Sequence, residues 1–292
     1  MINKISNILA GVDFSDPSLN ALETAASLAA KCNATLYIIH AHDNTLESIA
    51  SGLTYGSIKK GSVANNSFDI LTAMGNDVGK KYNIKPIIIE QEGQANEAIL
   101  RAAVSQNCEL IVLGSYGASG YRSGSIGYTA YSVIKHAMCP VLIIPSNKKW
   151  LHFKKPIYAV RPVATALRHL ELLSEFLEPN ANVNIFGIYP QGETENFYDL
   201  NHLVSKTQPA VNSNIKLKLS VCETSNAIPQ NILSEAGKNQ SDLIVISPAT
   251  DLSTKAFYIG PNTHYIIQNA KIPLLIIDKV NKYSMERLRT SF

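Results

Sequence analysis

Apolar residues in the first half of the chain fall into two patterns: short unbroken runs, and stretches in which they recur every three or four positions. Residues 8–12, 35–41, 84–89, 110–113 and 141–144 are runs of the first kind. Such runs, bounded by turn-forming residues, predict strands of a parallel sheet covered on both faces. Between them, Leu22, Ala26 and Ala29 mark one helical face, and Phe68, Leu71, Met74 and Val78 a second. Residues 95–106 and, from about Gly127 to Ala137, a further stretch predict two more helices. Ser15-Asp16-Pro17 supplies a cap and a first-turn proline for the first helix. Strand and helix alternate with no hairpin signal, which predicts a doubly wound α/β fold. Residues 43–66 are polar and Gly/Ser-rich without a period, and predict a loop with one short helix at 46–50.

The pattern then recurs. Glu109-Leu-Ile-Val-Leu113 and Ile134-Lys-His-Ala-Met-Cys-Pro-Val-Leu-Ile-Ile144 reappear 133 positions on, as Asp242-Leu-Ile-Val-Ile246 and Ile267-Gln-Asn-Ala-Lys-Ile-Pro-Leu-Leu-Ile-Ile277. An equal offset at both anchors, without a gap, identifies an internal duplication of domain size. The polar stretch Pro145-Ser-Asn-Lys-Lys149 separates the copies, and the strand pattern restarts near Ile157, so two tandem domains are expected at 1–149 and 150–292.

Composition narrows the function. With 46% hydrophobic and 17% charged residues among 292, each half can bury a core. A net charge of +3 without a basic cluster argues against a nucleic-acid partner. No apolar run approaches the ~18 residues of a membrane span, and the opening MINKISNILAGVDF lacks the apolar core of a signal peptide. The expectation is a cytoplasmic protein. Cys32, Cys108, Cys139 and Cys222 show no metal-binding spacing and are expected to be buried, reduced thiols.

The candidate chemistry lies after the fourth strand, in Gly114-Ser-Tyr-Gly117-Ala-Ser-Gly-Tyr-Arg-Ser-Gly-Ser-Ile-Gly127-Tyr128-Thr129. This loop leaves the carboxyl end of a strand and ends at a helix N-terminus. Glycines allow close backbone approach, and the first helical N–H groups favour an anion. Asp13, at the end of the first strand, would face the same crevice and suits a ribose hydroxyl or an adenine amino group. Alternatively, Asp13 belongs to the cap of the following helix, beside Ser15 and Asp16.

At these residues the sequence resembles the universal stress protein family. The opening Ile8-Leu-Ala-Gly-Val-Asp-Phe-Ser15, the strand Leu36-Tyr-Ile-Ile-His-Ala41, the loop, and the close Ile134 to Pro145 carry the resemblance, strongly over 1–145 and weakly over 150–279. ATP-binding members carry Gly-x2-Gly-x9-Gly-[Ser/Thr]; Gly114, Gly117 and Gly127 match in register, but Tyr128 replaces the hydroxyl residue, so that a ring occupies its place, and Thr129 follows one position late. The resemblance implies strand order 3-2-1-4-5 in each domain. It implies a non-enzymatic stress-response protein whose first domain binds ATP or AMP through Val12, Asp13, Ala41, Gly114, Gly117, Gly127, Tyr128 and Thr129. It also implies pairing through the last strands, between the two halves and in a homodimer. A nucleotide-free interaction module and a slow ATPase are the rival readings.

In the second half the fixed offset puts Ser247 and Thr250 at the first two glycines, Gly260 at the third and Pro261 at the Ser/Thr position, with Arg161 in place of Asp13. That reads as a dismantled site, or as a changed one in which Arg161 meets another anion. His40 and His42 share a strand face but have no third metal ligand at a recognisable spacing. Ser119, Tyr121, Ser123 and Ser125 read as solvated loop hydroxyls, and residues 279–289 as a solvated basic tail. No Gly-Lys-[Ser/Thr] or Gly-x-Ser-x-Gly motif is present, so neither fast phosphoryl transfer nor serine hydrolysis has its parts. No metal is expected.

Overall fold

A computed structural model describes residues 4–42, 67–116, 126–145, 149–191, 199–211, 214–224, 227–247 and 259–277. The expected loop at 43–66 with its short helix, the loop residues 117–125 with their hydroxyls, Thr250 and the basic tail lie outside the described residues. The chain divides into two compact units, Ile5–Leu151 and the part from His152 onward.

The first unit runs β1 (Asn7–Gly11), α1 (Asp16–Cys32), β2 (Thr35–His42), α2 (Ser67–Tyr82), β3 (Ile87–Glu92), α3 (Ala95–Ser105), β4 (Leu110–Gly114), α4 (Tyr128–His136) and β5 (Val141–Ile144). Its strands lie in the order β3-β2-β1-β4-β5, and every neighbour pair is parallel. Helices α1 and α2 pack together on one face and α3 and α4 on the other. Ile8, Leu9, Ala10, Leu110, Ile111 and Val112 are wholly buried. This is the doubly wound arrangement that unbroken apolar strands demand.

Some expectations shift. The third strand begins at Ile87 rather than Ile84. Asn83 takes a left-handed φ of 53° and Ile84 N–H returns to the Gly79 carbonyl, so α2 is still being closed there. Pro86 then removes a ladder donor. Phe68 is 43% exposed and stands off the expected apolar stripe, whereas Leu71, Met74 and Val78 are buried. Ser15 does hold the N-cap position of α1, but its hydroxyl makes no cap hydrogen bond.

The second unit repeats the plan: β6 (Pro156–Val160), α5 (Leu170–Phe176), β7 (Asn182–Pro190), α6 (Leu200–Thr207), β8 (Lys216–Thr224), α7 (Ile228–Lys238), β9 (Leu243–Ile246), α8 (Pro261–Asn269) and β10 (Leu274–Ile276). Its order is β8-β7-β6-β9-β10, again parallel throughout. Both units are therefore α/β domains with a five-stranded parallel sheet in the order 3-2-1-4-5. The duplication extends to detail. Glu109 accepts hydrogen bonds from the Ser6 and Asn7 N–H groups at the entry of β1 (3.1 and 2.8 Å). Asp242 accepts them from Lys154 and Lys155 at the entry of β6. Asn107 and Gln240 precede β4 and β9 in matching left-handed conformations, with φ of 49° and 50°.

Cys32, Cys108 and Cys139 are buried free thiols; Cys222 is also free but half-exposed, because β8 is an edge strand whose residues are all at least partly open. Burial, reinforced by Glu109, pushes the Cys108 thiol up to about 12. Burial likewise raises Cys139. Neither offers a thiolate near neutral pH.

Candidate functional site

A cleft of about 230 Å³ opens in the first unit at the carboxyl ends of β1 and β4, where a doubly wound sheet receives ligands. Seven of the eight residues singled out in the sequence line it: Val12, Asp13, Ala41, Gly114, Gly127, Tyr128 and Thr129. The eighth, Gly117, lies outside the described residues.

Strand β1 delivers Asp13. Val12 N–H still donates to the Ile39 carbonyl of β2 (2.9 Å), but the chain then leaves the sheet. Asp13 Oδ1 accepts from Ser15 N (3.1 Å) and Ser15 Oγ (2.5 Å), and Asp13 N donates to Ser18 Oγ (3.3 Å). The carboxylate thus organises the turn into α1, in the manner of an Asx-turn. The cap role and the ligand-facing role were alternatives in the sequence; the structure joins the first to a position on the cleft wall.

The described motif positions, Gly114, Gly127 and Tyr128, serve different ends. A Cβ on Gly114 would stand 2.7 Å from the Pro17 carbonyl carbon and 2.8 Å from Ser18 N. Gly114 is therefore needed for the first turn of α1 to pack against the end of β4, a helix–strand contact and not only room for a ligand. Gly127 has φ −68° and ψ 153° and needs no glycine freedom. Its N–H closes the loop on the Ser115 carbonyl (2.8 Å), and its own carbonyl starts α4 by accepting from Tyr131 (3.0 Å). The N–H groups of Tyr128, Thr129 and Ala130 precede that first intrahelical bond, so they are the donors a helix N-terminus leaves for an anion. The Tyr128 side chain is 74% exposed. Its ring lies mostly in solvent, contrary to the expectation that it fills the hydroxyl's place.

Sequence reading missed Gly11, Ser18, Ala95 and Ile99 in the lining. Ala95 begins α3, so the first turns of α1, α3 and α4 all converge here. The signal was available in the small residues at helix starts. A Cβ on Gly11 would meet Leu113 Cδ2 at 2.6 Å and Ile99 Cδ1 at 3.1 Å, so the floor is closed beneath it.

His40 is buried and its Nδ1 lies 2.8 Å from the Val12 carbonyl, while His42 is half-buried at the end of β2. Among the described residues no group of three or more His, Cys, Asp or Glu could hold a metal ion. Among them, too, no helix is long and apolar enough to cross a membrane.

In the second unit, Arg161 is exposed, Ser247 half-buried, and Gly260 and Pro261 start α8. Residues 164–169 form turns where α1 forms its first helical turns.

Residues 4–145 match the model of the Universal stress protein family. The first half of the chain carries a domain of this family. A universal stress protein of Bacillus subtilis, YxiE, is 29% identical over 151 residues, 49% of this chain and 99% of the relative. Another from Methanocaldococcus jannaschii is 28% identical over 151 residues, 50% of this chain and 86% of the relative. Among solved structures, a universal stress protein from Archaeoglobus fulgidus has a TM-score of 0.69 at 15% identity, covering 96% of this chain and 98% of its own. A putative universal stress protein from Pseudomonas aeruginosa has a TM-score of 0.63 at 13% identity, with 99% and 98% covered. These structural likenesses are of fold, and they extend to the second unit.

Proposed function

We propose that this protein is a stress-response binding protein of the cytoplasm whose first unit holds an adenine nucleotide, ATP or AMP, in the cleft at β1 and β4, without turning it over. The observation that carries the reading is the convergence of the Asp13 carboxylate and the unused N–H groups of α4 on one cleft floored by Gly11 and Gly114. Acceptor and anion cradle are the two halves a nucleotide needs: Asp13 for the ribose or base, the α4 start for phosphate. At about 230 Å³ the cleft is smaller than the ~300–1,000 Å³ that encloses a whole drug-sized ligand. It suits the nucleoside, with the phosphates running out along α4.

Neutral N–H donors bind ground state and transition state alike, which does not raise a chemical rate. Among the described residues no lysine of the kind used in phosphoryl transfer lines the cleft. Calorimetric titration with ATP tests the reading. Heat of binding is expected with the native chain and is expected to be lost on Asp13→Ala combined with Ala41→Ile, which removes the acceptor and fills the wall. Binding undiminished by that pair would place the ligand elsewhere, and phosphate release above that of the double variant would restore the ATPase.

A further inference from the structure

We infer that His40 is a positioning residue of the cleft, fixing through Val12 and Phe14 the turn that carries Asp13; the inference rests on the binding role proposed above. His40 is 6% exposed. Its Nδ1 lies 2.8 Å from the Val12 carbonyl, a geometry that calls for a proton on Nδ1. Its ring lies 4.5 Å from that of Phe14, tilted by 47°. Phe14 has a φ of 65°, a left-handed conformation that a bulky residue holds only when its surroundings impose it. Asp13 is bracketed by these two contacts, one on the residue before it and one on the residue after it.

Two observations separate this role from simple core filling. First, His40 Nε2 is buried without a hydrogen-bond partner. An orphaned buried nitrogen is a standing cost, which an apolar side chain of similar size would avoid. Second, the duplicated unit builds the same sheet without any of the three residues. Gly11 pairs with Ile39 as Ala159 pairs with Phe186. That register sets His40 opposite Gly187, Asp13 opposite Arg161 and Phe14 opposite Pro162. At Gly187 the space is taken by Leu200, whose Cδ1 would lie 2.5 Å from an added Cβ. Strand order, strand-entry carboxylates and left-handed turns all survive there. The fold does not require the histidine; the turn bearing Asp13 does.

The test compares His40→Leu with His40→Asn, whose amide nitrogen can stand where Nδ1 stands. Amide hydrogen exchange over residues 12–18 is measured without ligand, and ATP affinity by titration. His40→Leu is expected to speed exchange at Asp13 and Phe14 and to weaken ATP by about tenfold, the loss of one well-placed acceptor. His40→Asn is expected to restore both to within about threefold of the native chain, as a donor to Val12 is regained. Unchanged exchange in His40→Leu, an Asn variant as impaired as the Leu variant, or a Leu variant that does not fold would each overturn the inference. If the native chain gives no heat with ATP, the binding proposal fails, while the exchange arm still decides whether His40 holds the turn.

Discussion

Single residues here carry more than one duty, and Glu23 shows it best. It is 14% exposed on α1 and accepts from Lys81 Nζ (2.6 Å), Lys149 Nζ (3.2 Å) and Tyr82 Oη (2.7 Å). Burial alone would raise its carboxyl, but the three donors outweigh burial and hold it below the ordinary glutamate value. A carboxyl depressed in the folded state contributes stability that is present above its unfolded value and lost as pH falls through the folded one. Thermal unfolding followed downward from about pH 4.3, the ordinary glutamate value, should therefore show a loss of stability that Glu23→Gln lacks. At neutral pH Glu23→Gln should cost about 1–2 kcal/mol, from weakened charge-assisted hydrogen bonds. A variant with native stability and an unchanged acid limb would count against the cluster. Gly114→Ala makes a second residue-scale prediction. The added methyl meets backbone of Pro17 and Ser18, which cannot rotate away, so a loss of about 1–3 kcal/mol is expected in denaturant titration. Gly75→Ala is the control: its methyl's closest contact is the end of a side chain, Ile88 Cδ1 at 2.6 Å, and not backbone, so it should cost less. Spacing showed that Gly114 mattered. It could not show that helix α1 was the reason, because that contact joins residues nearly a hundred positions apart.

At the scale of elements, the legible parts were those with unbroken apolar runs. Strands β1, β4, β5, β9 and β10 are central or fully buried, and their side chains advertise it. The edge strands were harder. β8 carries no fully buried residue and alternates Lys216-Leu-Lys-Leu219, so it lacks the signature used for its neighbours. β3 has no fully buried position either, and its start was misjudged by three residues. Site residues followed the same logic. Glycines and Asp13 were visible in a motif, whereas Ser18 and Ala95 enter the cleft only because helices start there. The strand-entry clamps were visible as an acid before each Leu-Ile-Val run but not as a device. In both units that acid closes the N–H groups at the first strand's entry. Glu109→Ala and Asp242→Ala should each cost about 1–2 kcal/mol, at the low end for charged hydrogen bonds because the freed N–H groups reach water. Amide exchange should quicken at Ser6 and Asn7 in the first variant, and at Lys154 and Lys155 in the second. An effect confined to one unit would mean that the duplicated geometry is not a duplicated role.

Across the whole molecule, the two units keep one fold and differ where the cleft would be. The register of β1 with β2 and of β6 with β7 sets Ala41 opposite Ile188 and Gly11 opposite Ala159. The constant offset of 133 sets Ala95 opposite Ile228 and Gly114 opposite Ser247. At each of these lining positions the second unit has the larger side chain, and Ile188 is 6% exposed. Arg161 stands for Asp13, and Pro261 removes one N–H at the start of α8. The prediction is one nucleotide per chain, held by the first unit. Losing one hydrogen bond to a charged group costs ~1.5–3 kcal/mol, and each 1.4 kcal/mol is about tenfold in affinity, so a site lacking several contacts and filled by isoleucine is silent. Copying the second unit into the first, as Ala41→Ile with Ala95→Ile, should abolish the calorimetric signal while leaving the unfolding temperature nearly unchanged, since Ile188 and Ile228 are accommodated by the same fold. The reverse pair, Ile188→Ala with Ile228→Ala, should open space without creating affinity, because Arg161 and Pro261 remain. Tyr128→Ser should strengthen binding to the first unit by adding a hydroxyl beside the α4 N–H groups, and should leave the stoichiometry at one. A stoichiometry of two in the native chain, or binding that survives the isoleucine pair, would show that the second unit still holds a ligand or that the cleft at β1 and β4 does not.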